Sequence, residues 1–291
     1  LKLLPLATAL CLASPLTFAA PLHVVASFTV LADMAKQIGG ADIEVKSLVG
    51  PNGDPHSFEP TAQDSRALAQ AQMVVVNGLG LEGWMDRLVT ASGYRGQLTI
   101  ASQGIKQNRM QEEGKTIVDP HAWNSLANGA VYAKNIMQAL ENADPAHAQQ
   151  YAQRGADYLK KIHALDDWAV KQYQTIPQAK RIVLTSHDAF GYYGKRYGVT
   201  FSAPLGLSTE SEASAQQVGS LIKELKQRHI KHYFTENQTD PRLVTQIAQA
   251  SEATPGGELY PEALSTQHGP AASYLAAFRY NTQQLLASMR E

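Results

Sequence analysis

Residues 146–173 read AHAQQYAQRGADYLKKIHALDDWAVKQY, and this stretch decides the architecture. It contains no proline and one glycine, Gly155. Tyr151, Tyr158, Leu159, Ile162, Leu165, Trp168 and Ala169 recur at the spacing of a helix with one apolar face. Asp144-Pro145 opens the run and Pro177 ends it. One helix of this length can join two lobes rigidly.

On either side of it the pattern is different. Before it, short apolar runs alternate with helical ones. His23–Phe28, Ile43–Val49, Met73–Val76 and Leu98–Ala101 read as strands. Val30–Ile38, Ala62–Ala71, Leu81–Ala91 and Ala127–Leu140 read as helices. Residues 103–116 are polar and read as a loop. After Pro177 the alternation restarts. Arg181–Thr185, Val199–Ala203, His232–Thr235 and Glu258–Tyr260 are strands; Ala189–Tyr197, Ala213–Arg228, Pro241–Ala250 and Pro270–Met289 are helices. Such alternation predicts βα units and parallel sheets. The expected fold class is therefore α/β: two lobes, each with a central, mostly parallel sheet flanked by helices, joined by one long rigid linking helix. The expected division is a leader at 1–19, an N-terminal lobe at 20–143, the linking helix at 144–177 and a C-terminal lobe at 178–291.

With 44% hydrophobic and 18% charged residues, the chain has the makings of a sizeable core and is not of disordered type. The formal net charge of -1 shows no basic excess, so nucleic acid is not an expected partner. In the first twenty residues Lys2 is the only charge, and Leu3 to Ala20 is apolar and small. This predicts a secretory signal peptide, cut after Ala19. Pro5, Pro15 and the shortness of the run argue against a membrane span. Cys11 is the single cysteine, and Leu10 before it does not suit lipidation. The mature protein is expected to be a periplasmic monomer without membrane insertion. Any metal site in it must use nitrogen and oxygen ligands.

One tripeptide repeats: Asp54-Pro55-His56 and Asp119-Pro120-His121. Proline fixes its own φ and keeps the residue before it extended, so each histidine leaves a stiff turn. A third histidine, His187, follows the strand that ends at Thr185. In open α/β sheets ligands bind beyond the carboxyl ends of strands. Three imidazoles meeting there suit zinc, copper, iron or nickel, and zinc's usual four ligands leave one position for a carboxylate or water. Three unrelated loop histidines are the alternative reading of the same spacing.

The chain resembles the cluster A-I family (cluster 9) of solute-binding proteins for zinc and manganese ABC transporters. The resemblance is carried by Gly53-Asp54-Pro55-His56-Ser57-Phe58-Glu59-Pro60, Val76-Asn77-Gly78-Leu79-Gly80-Leu81-Glu82, Asp119-Pro120-His121-Ala122-Trp123, Ser186-His187-Asp188-Ala189-Phe190, and the tail from Gly269-Pro270 to Arg279-Tyr280-Asn281. It implies a metal in the interlobe cleft and delivery to an ABC transporter permease in the inner membrane. It places two ligands on His56 and His121 and the third on His187, where members carry His or Glu. Histidine at that position is more similar to the zinc-binding members, so Zn2+ is the expected cargo and Mn2+ or Fe2+ the alternative. Members often carry an aspartate in a Ser-Asp-Ala-Leu-Ser loop. Here the matching run is Pro261-Glu262-Ala263-Leu264-Ser265, which makes Glu262, one methylene longer, the expected fourth ligand. The histidine-rich acidic loop of some zinc-binding members has no counterpart, since residues 103–116 contain no histidine.

Other signals point elsewhere. Gly78-Leu79-Gly80-Leu81-Glu82-Gly83 fits the dinucleotide fingerprint, but the next strand ends without an acid to hold a ribose. Ser186-His187-Asp188 has the residue types of a hydrolase triad, yet adjacent residues cannot align as nucleophile, base and orienter. His229 and His232 read as a solvated pair, His147 and His163 as decoration of the linking helix, and His23 as part of the first strand. His268 neighbours Glu262 in sequence. Glu236 and Asp240 are candidates to support the site or to sit on the surface. Phe58 and Trp123 are expected to pack the ligand loops. A secreted metalloenzyme on the same histidines, with Glu59 or Glu236 as base, is the rival from another class, and an adhesin is a third.

Overall fold

A computed structural model describes residues 20–112, 114–206, 209 and 214–290. The expected leader, with Cys11, lies outside the described residues, as does Ala213. The first lobe has strands β1 (Leu22–Ala26), β2 (Ile43–Ser47), β3 (Met73–Val76) and β4 (Leu98–Ile100) in a parallel sheet of order β2-β1-β3-β4. A hairpin follows, β5 (Arg109–Glu112) with β6 (Lys115–Val118). The second lobe has β7 (Ile182–Leu184), β8 (Thr200–Ser202), β9 (His232–Glu236) and β10 (Thr254–Leu259) in a parallel sheet of order β10-β9-β7-β8. Read from the second strand of each, both sheets run second, first, third, fourth. Each therefore reverses its strand order beside its first strand, which is where open α/β sheets form a crevice.

The helices are α1 (Thr29–Gly39), α2 (Ala62–Gln70), α3 (Met85–Ser92), α4 (Leu126–Ala143), α5 (Ala148–Gln174), α6 (Gly191–Tyr197), α7 (Ala215–Gln227), α8 (Arg242–Ser251) and α9 (Tyr274–Arg290). Helix α5 has 27 residues, about 40 Å at 1.5 Å per residue. It buries Tyr151, Tyr158, Ile162, Leu165, Ala169 and Tyr173 along one stripe. Leu159 and Trp168 are only partly covered. Gly155 lies where α5 packs closely on α4: a Cβ there would stand 2.3 Å from the Met137 sulfur, so that side chain would have to shift.

Polar anchors tie α5 to both lobes. Arg154 donates to the Ile38 and Gly39 carbonyls, each at 2.7 Å, and to Asp42 at 2.7 Å, which holds the end of α1. Twelve residues on, Asp166 accepts Arg196 at 2.5 Å and the Tyr197 hydroxyl at 2.7 Å, which holds α6. The span between these anchors stays helical and carries no proline. Helix α9 crosses back onto the first lobe: the Tyr274 amide donates to Asp33 at 2.8 Å.

Several sequence expectations are corrected. Residues 103–116 are not all loop, because Met110 buries against its surroundings while Gly114, at φ 77°, turns the chain into the hairpin. Helix α3 starts at Met85 rather than Leu81, because the Glu82 carboxylate binds the turn before it. Strand β10 starts at Thr254, through an irregularity at Pro255/Gly257. Helix α9 starts at Tyr274 rather than Pro270. Helix α7 opens with a capping box, Ser214 and Gln217 each binding the other's amide. Among the described residues no helix is long and apolar enough to cross a membrane.

Candidate metal centre

Each half of the repeated tripeptide builds the same turn. The Asp54 carboxylate accepts the His56 amide at 2.8 Å, and the Asp119 carboxylate accepts the His121 amide at 3.0 Å. An aspartate that binds the backbone two residues on mimics a turn, and the proline between them stiffens it. Both turns are clamped from outside. Trp84 Nε1 donates to the Pro55 carbonyl at 2.9 Å, with Phe58 packed on the Trp84 ring. Asn77 Nδ2 donates to the Pro120 carbonyl at 3.0 Å, and the Tyr132 hydroxyl donates to Asn77 Oδ1.

The second lobe supplies two more groups. His187 follows β7, and Glu236 ends the neighbouring β9. The Glu236 carboxylate accepts the amides of Ser186 at 3.1 Å and His187 at 3.2 Å, and also binds His187 Nδ1. Glu262 lies in the loop after β10. Trp123 Nε1 donates to the Pro261 carbonyl at 2.7 Å, and the Leu264 amide donates to Thr29 Oγ1 at 2.9 Å. The Glu262 loop is thus fastened to the first lobe by residues on both sides of the glutamate.

His56, His121, His187 and Glu262 come together in the cleft, with one ligand atom from each within 4.8 Å of all the others. Glu262 Oε1 lies 2.6 Å from His56 Nε2, 3.0 Å from His121 Nε2 and 3.2 Å from His187 Nε2. His56 Nε2 and His121 Nε2 are 3.2 Å apart. A tetrahedron with a zinc–nitrogen distance of 2.0–2.1 Å has edges of about 3.3–3.4 Å. Two of these separations are close to that edge, and the shortest has to open. His121, His187 and Glu262 have no exposed side-chain surface, and His56 keeps 9%.

The remaining ring nitrogens explain the orientation. His121 Nδ1 faces Asp119 at 2.9 Å and His187 Nδ1 faces Glu236, so both Nε2 atoms point at Glu262. A carboxylate behind a histidine fixes its ring and raises its basicity. Burial pulls the His121 pKa down, but the bonds to Asp119 and Glu262 prevail and push it up to about 9. His187 is also buried, and Glu236 and Glu262 hold it well above the usual imidazole range. Burial would raise Glu262, but the charges of His56 and His187 and the bond from His121 hold it well below the usual carboxylate range. Replacing Asp119 by asparagine is expected to weaken metal binding by about 10–100-fold. Chelator competition against the unaltered chain measures it, and an equal affinity would refute the role assigned to Asp119.

The other candidates stand apart from the cluster. His23, His163 and His268 are exposed, His147 binds Asp144 at 2.7 Å, and His232 Nδ1 faces Thr254 Oγ1 at 3.2 Å. Asp240 is exposed and binds Arg242. Glu59 is exposed; Glu236 is committed to His187. Phe58 and Trp123 pack, as expected. In the glycine-rich loop, Glu82 itself occupies the turn: its carboxylate accepts the amides of Asn77 at 2.6 Å and Gly78 at 3.2 Å and the Ser27 hydroxyl at 2.7 Å. Sequence reasoning gave no role to Asp54, Asp119 or Gln238. The repeated tripeptide was the available signal for the first two.

Residues 24–288 match the family described as ZnuA, zinc-uptake complex component A, periplasmic. The manganese-binding lipoprotein MntA of Bacillus subtilis is 30% identical over 275 residues, covering 92% of this chain and 90% of that protein. The manganese ABC transporter substrate-binding lipoprotein PsaA of Streptococcus anginosus is 30% identical over 271 residues, covering 90% of this chain and 87% of that protein. Among solved structures, the periplasmic zinc binding protein TroA of Treponema pallidum superposes with a TM-score of 0.86 at 28% identity, covering 93% of this chain and 99% of that one. The Mn-bound periplasmic metal binding protein of Candidatus Liberibacter asiaticus gives a TM-score of 0.83 at 26% identity, covering 92% and 99%.

Proposed function

We propose that this chain, which belongs to the ZnuA family of periplasmic metal-binding proteins, captures one divalent transition metal, zinc, and delivers it to an ABC-type permease of the inner membrane. The lobes are residues 20–143 and 178–291, and residues 144–177 link them. His56 and His121 of the first lobe and His187 and Glu262 of the second are the ligands. The carrying observation is the convergence of three Nε2 atoms and one carboxylate oxygen in a buried site. Three nitrogens and one oxygen make a four-donor set that suits zinc, whereas manganese prefers more oxygen. Iron is the other alternative.

The reading is a carrier rather than an enzyme. A catalytic zinc keeps one position open for water or substrate, and here the protein supplies four donors. The two glutamates considered as bases are unsuited, Glu59 by its exposure and Glu236 by its bond to His187. The cleft lies within one chain, consistent with a monomer working in the periplasm after removal of residues 1–19.

Competitive zinc and manganese titration of the stripped protein, with metal counted by elemental analysis, tests this. One zinc per chain, bound more tightly than manganese, is expected. Tighter manganese would overturn the choice of metal, and no tight binding of either would overturn the carrier.

A further inference from the structure

Glu262 offers one oxygen to the three imidazoles. Its other oxygen, Oε2, accepts Gln238 Nε2 at 3.1 Å. The same nitrogen stands 3.4 Å from Glu236 Oε2, so one amide faces both carboxylates of the site. Its orientation follows from charge: the NH2 group must point at the two carboxylates. Among the described residues nothing donates to the buried Gln238 Oε1, so no competing bond turns the amide round.

The backbone beside Gln238 is fixed relative to Glu262. The Asn237 amide donates to the Leu259 carbonyl at 3.1 Å. Asn237 Nδ2 donates to the Ala263 carbonyl at 3.1 Å and to Asn52 Oδ1 at 2.9 Å. These bonds tie the end of β9 to both sides of the Glu262 loop and to the first lobe. Gln238 therefore meets Glu262 at a set distance.

We propose that Gln238 is a specificity-determining residue: by holding Glu262 Oε2 it keeps the glutamate to one coordinating oxygen and so favours zinc over manganese. The inference rests on the metal-carrier reading. With one carboxylate oxygen the site has four donors, which satisfies tetrahedral zinc. Manganese seeks a larger, oxygen-rich shell. The ligands' own spare oxygen is Glu262 Oε2, and using it breaks a charge-assisted hydrogen bond inside a buried site. Glu262 is long enough to swing both oxygens inward, so the restraint has to come from outside the ligand.

The test compares the unaltered chain with Gln238→Met, which keeps the side-chain length without a donor, and Gln238→Asn, whose amide is one methylene short. Zinc and manganese affinities are measured by competition, and each protein is loaded with cobalt(II) for its visible spectrum. In both variants the zinc-over-manganese ratio is expected to fall about tenfold, the size of one lost hydrogen bond to a charged group. The intense four-coordinate cobalt bands are expected to weaken toward those of a higher coordination number. An unchanged ratio with an unchanged spectrum in both variants would overturn the role of Gln238 while leaving the carrier intact. Equal losses of both affinities, with the ratio kept, would also overturn it, because that is the signature of general loosening. An unaltered chain that binds no metal would overturn the carrier reading itself.

Discussion

His121→Ala is expected to abolish the metal-dependent rise in melting temperature, while His232→Ala keeps it. His121 is fully buried, and its Nε2 lies 3.0 Å from Glu262 Oε1 and 3.2 Å from His56 Nε2. Its removal takes away one of four donors and leaves a space that alanine cannot fill. Ligand that binds only the folded state stabilises it by about 2.7 kcal/mol at a hundredfold excess over Kd. For a chain of this size that is about 5–10 °C. His232 opens β9, whose far end carries Glu236, so it stands about 13 Å from the site at the rise of a strand. Thermal melts of stripped and zinc-loaded protein decide the matter. Equal shifts in the two variants would sink the ligand assignment.

The sheets were legible because their strands are short apolar runs between helical patterns. Met73–Val76 is buried throughout and matches its predicted bounds. The hairpin was not legible, because Arg109–Glu112 and Lys115–Val118 carry mostly polar residues and only Met110 is well buried. The start of α3 was displaced for a different reason. Leu81 to Trp84 has helical spacing, but Glu82 reaches back to the amides of Asn77 and Gly78 and holds the segment in turns. A pattern of apolar residues carries no record of such a carboxylate.

The candidate site was legible to the extent that stiff local sequence marks it. Two Asp-Pro-His turns and a histidine at a strand end stand out along the chain. That Asp119 serves both the amide and the ring of His121 is a tertiary fact, as is the bond between Glu236 and His187, which are 49 residues apart. Gln238 has no motif at all. Its role comes from the parallel pairing of β9 with β10, which brings the ends of the two strands, and so Gln238 and Glu262, together. The same pairing logic places His187 and Glu236 side by side at the ends of β7 and β9.

Zinc affinity is expected to fall about a hundredfold for each pH unit lost below neutrality, with about two protons released per metal bound. Metal takes the neutral imidazole, so a protonated histidine must give up its proton first. His121 is pushed up to about 9 and His187 stands well above its ordinary value, so both are expected to hold a proton before metal binds at neutral pH. Glu262 is held well below its ordinary value and contributes none. The two raised pKa values also set the sign for the metal-free fold. The stability that the His121 ion pairs supply is complete below about 6.5, the unfolded value. It is lost as pH rises through about 9, and the His187 pairs follow the same sign. Metal-free protein therefore loses this contribution over the range in which metal binds more tightly, so the metal-dependent rise in melting temperature grows from pH 6 to pH 8. Calorimetric titration in buffers of different protonation enthalpy counts the protons. Release of fewer than one proton at pH 7 would show that the imidazoles are already neutral, and that Asp119 and Glu236 orient the rings without charging them.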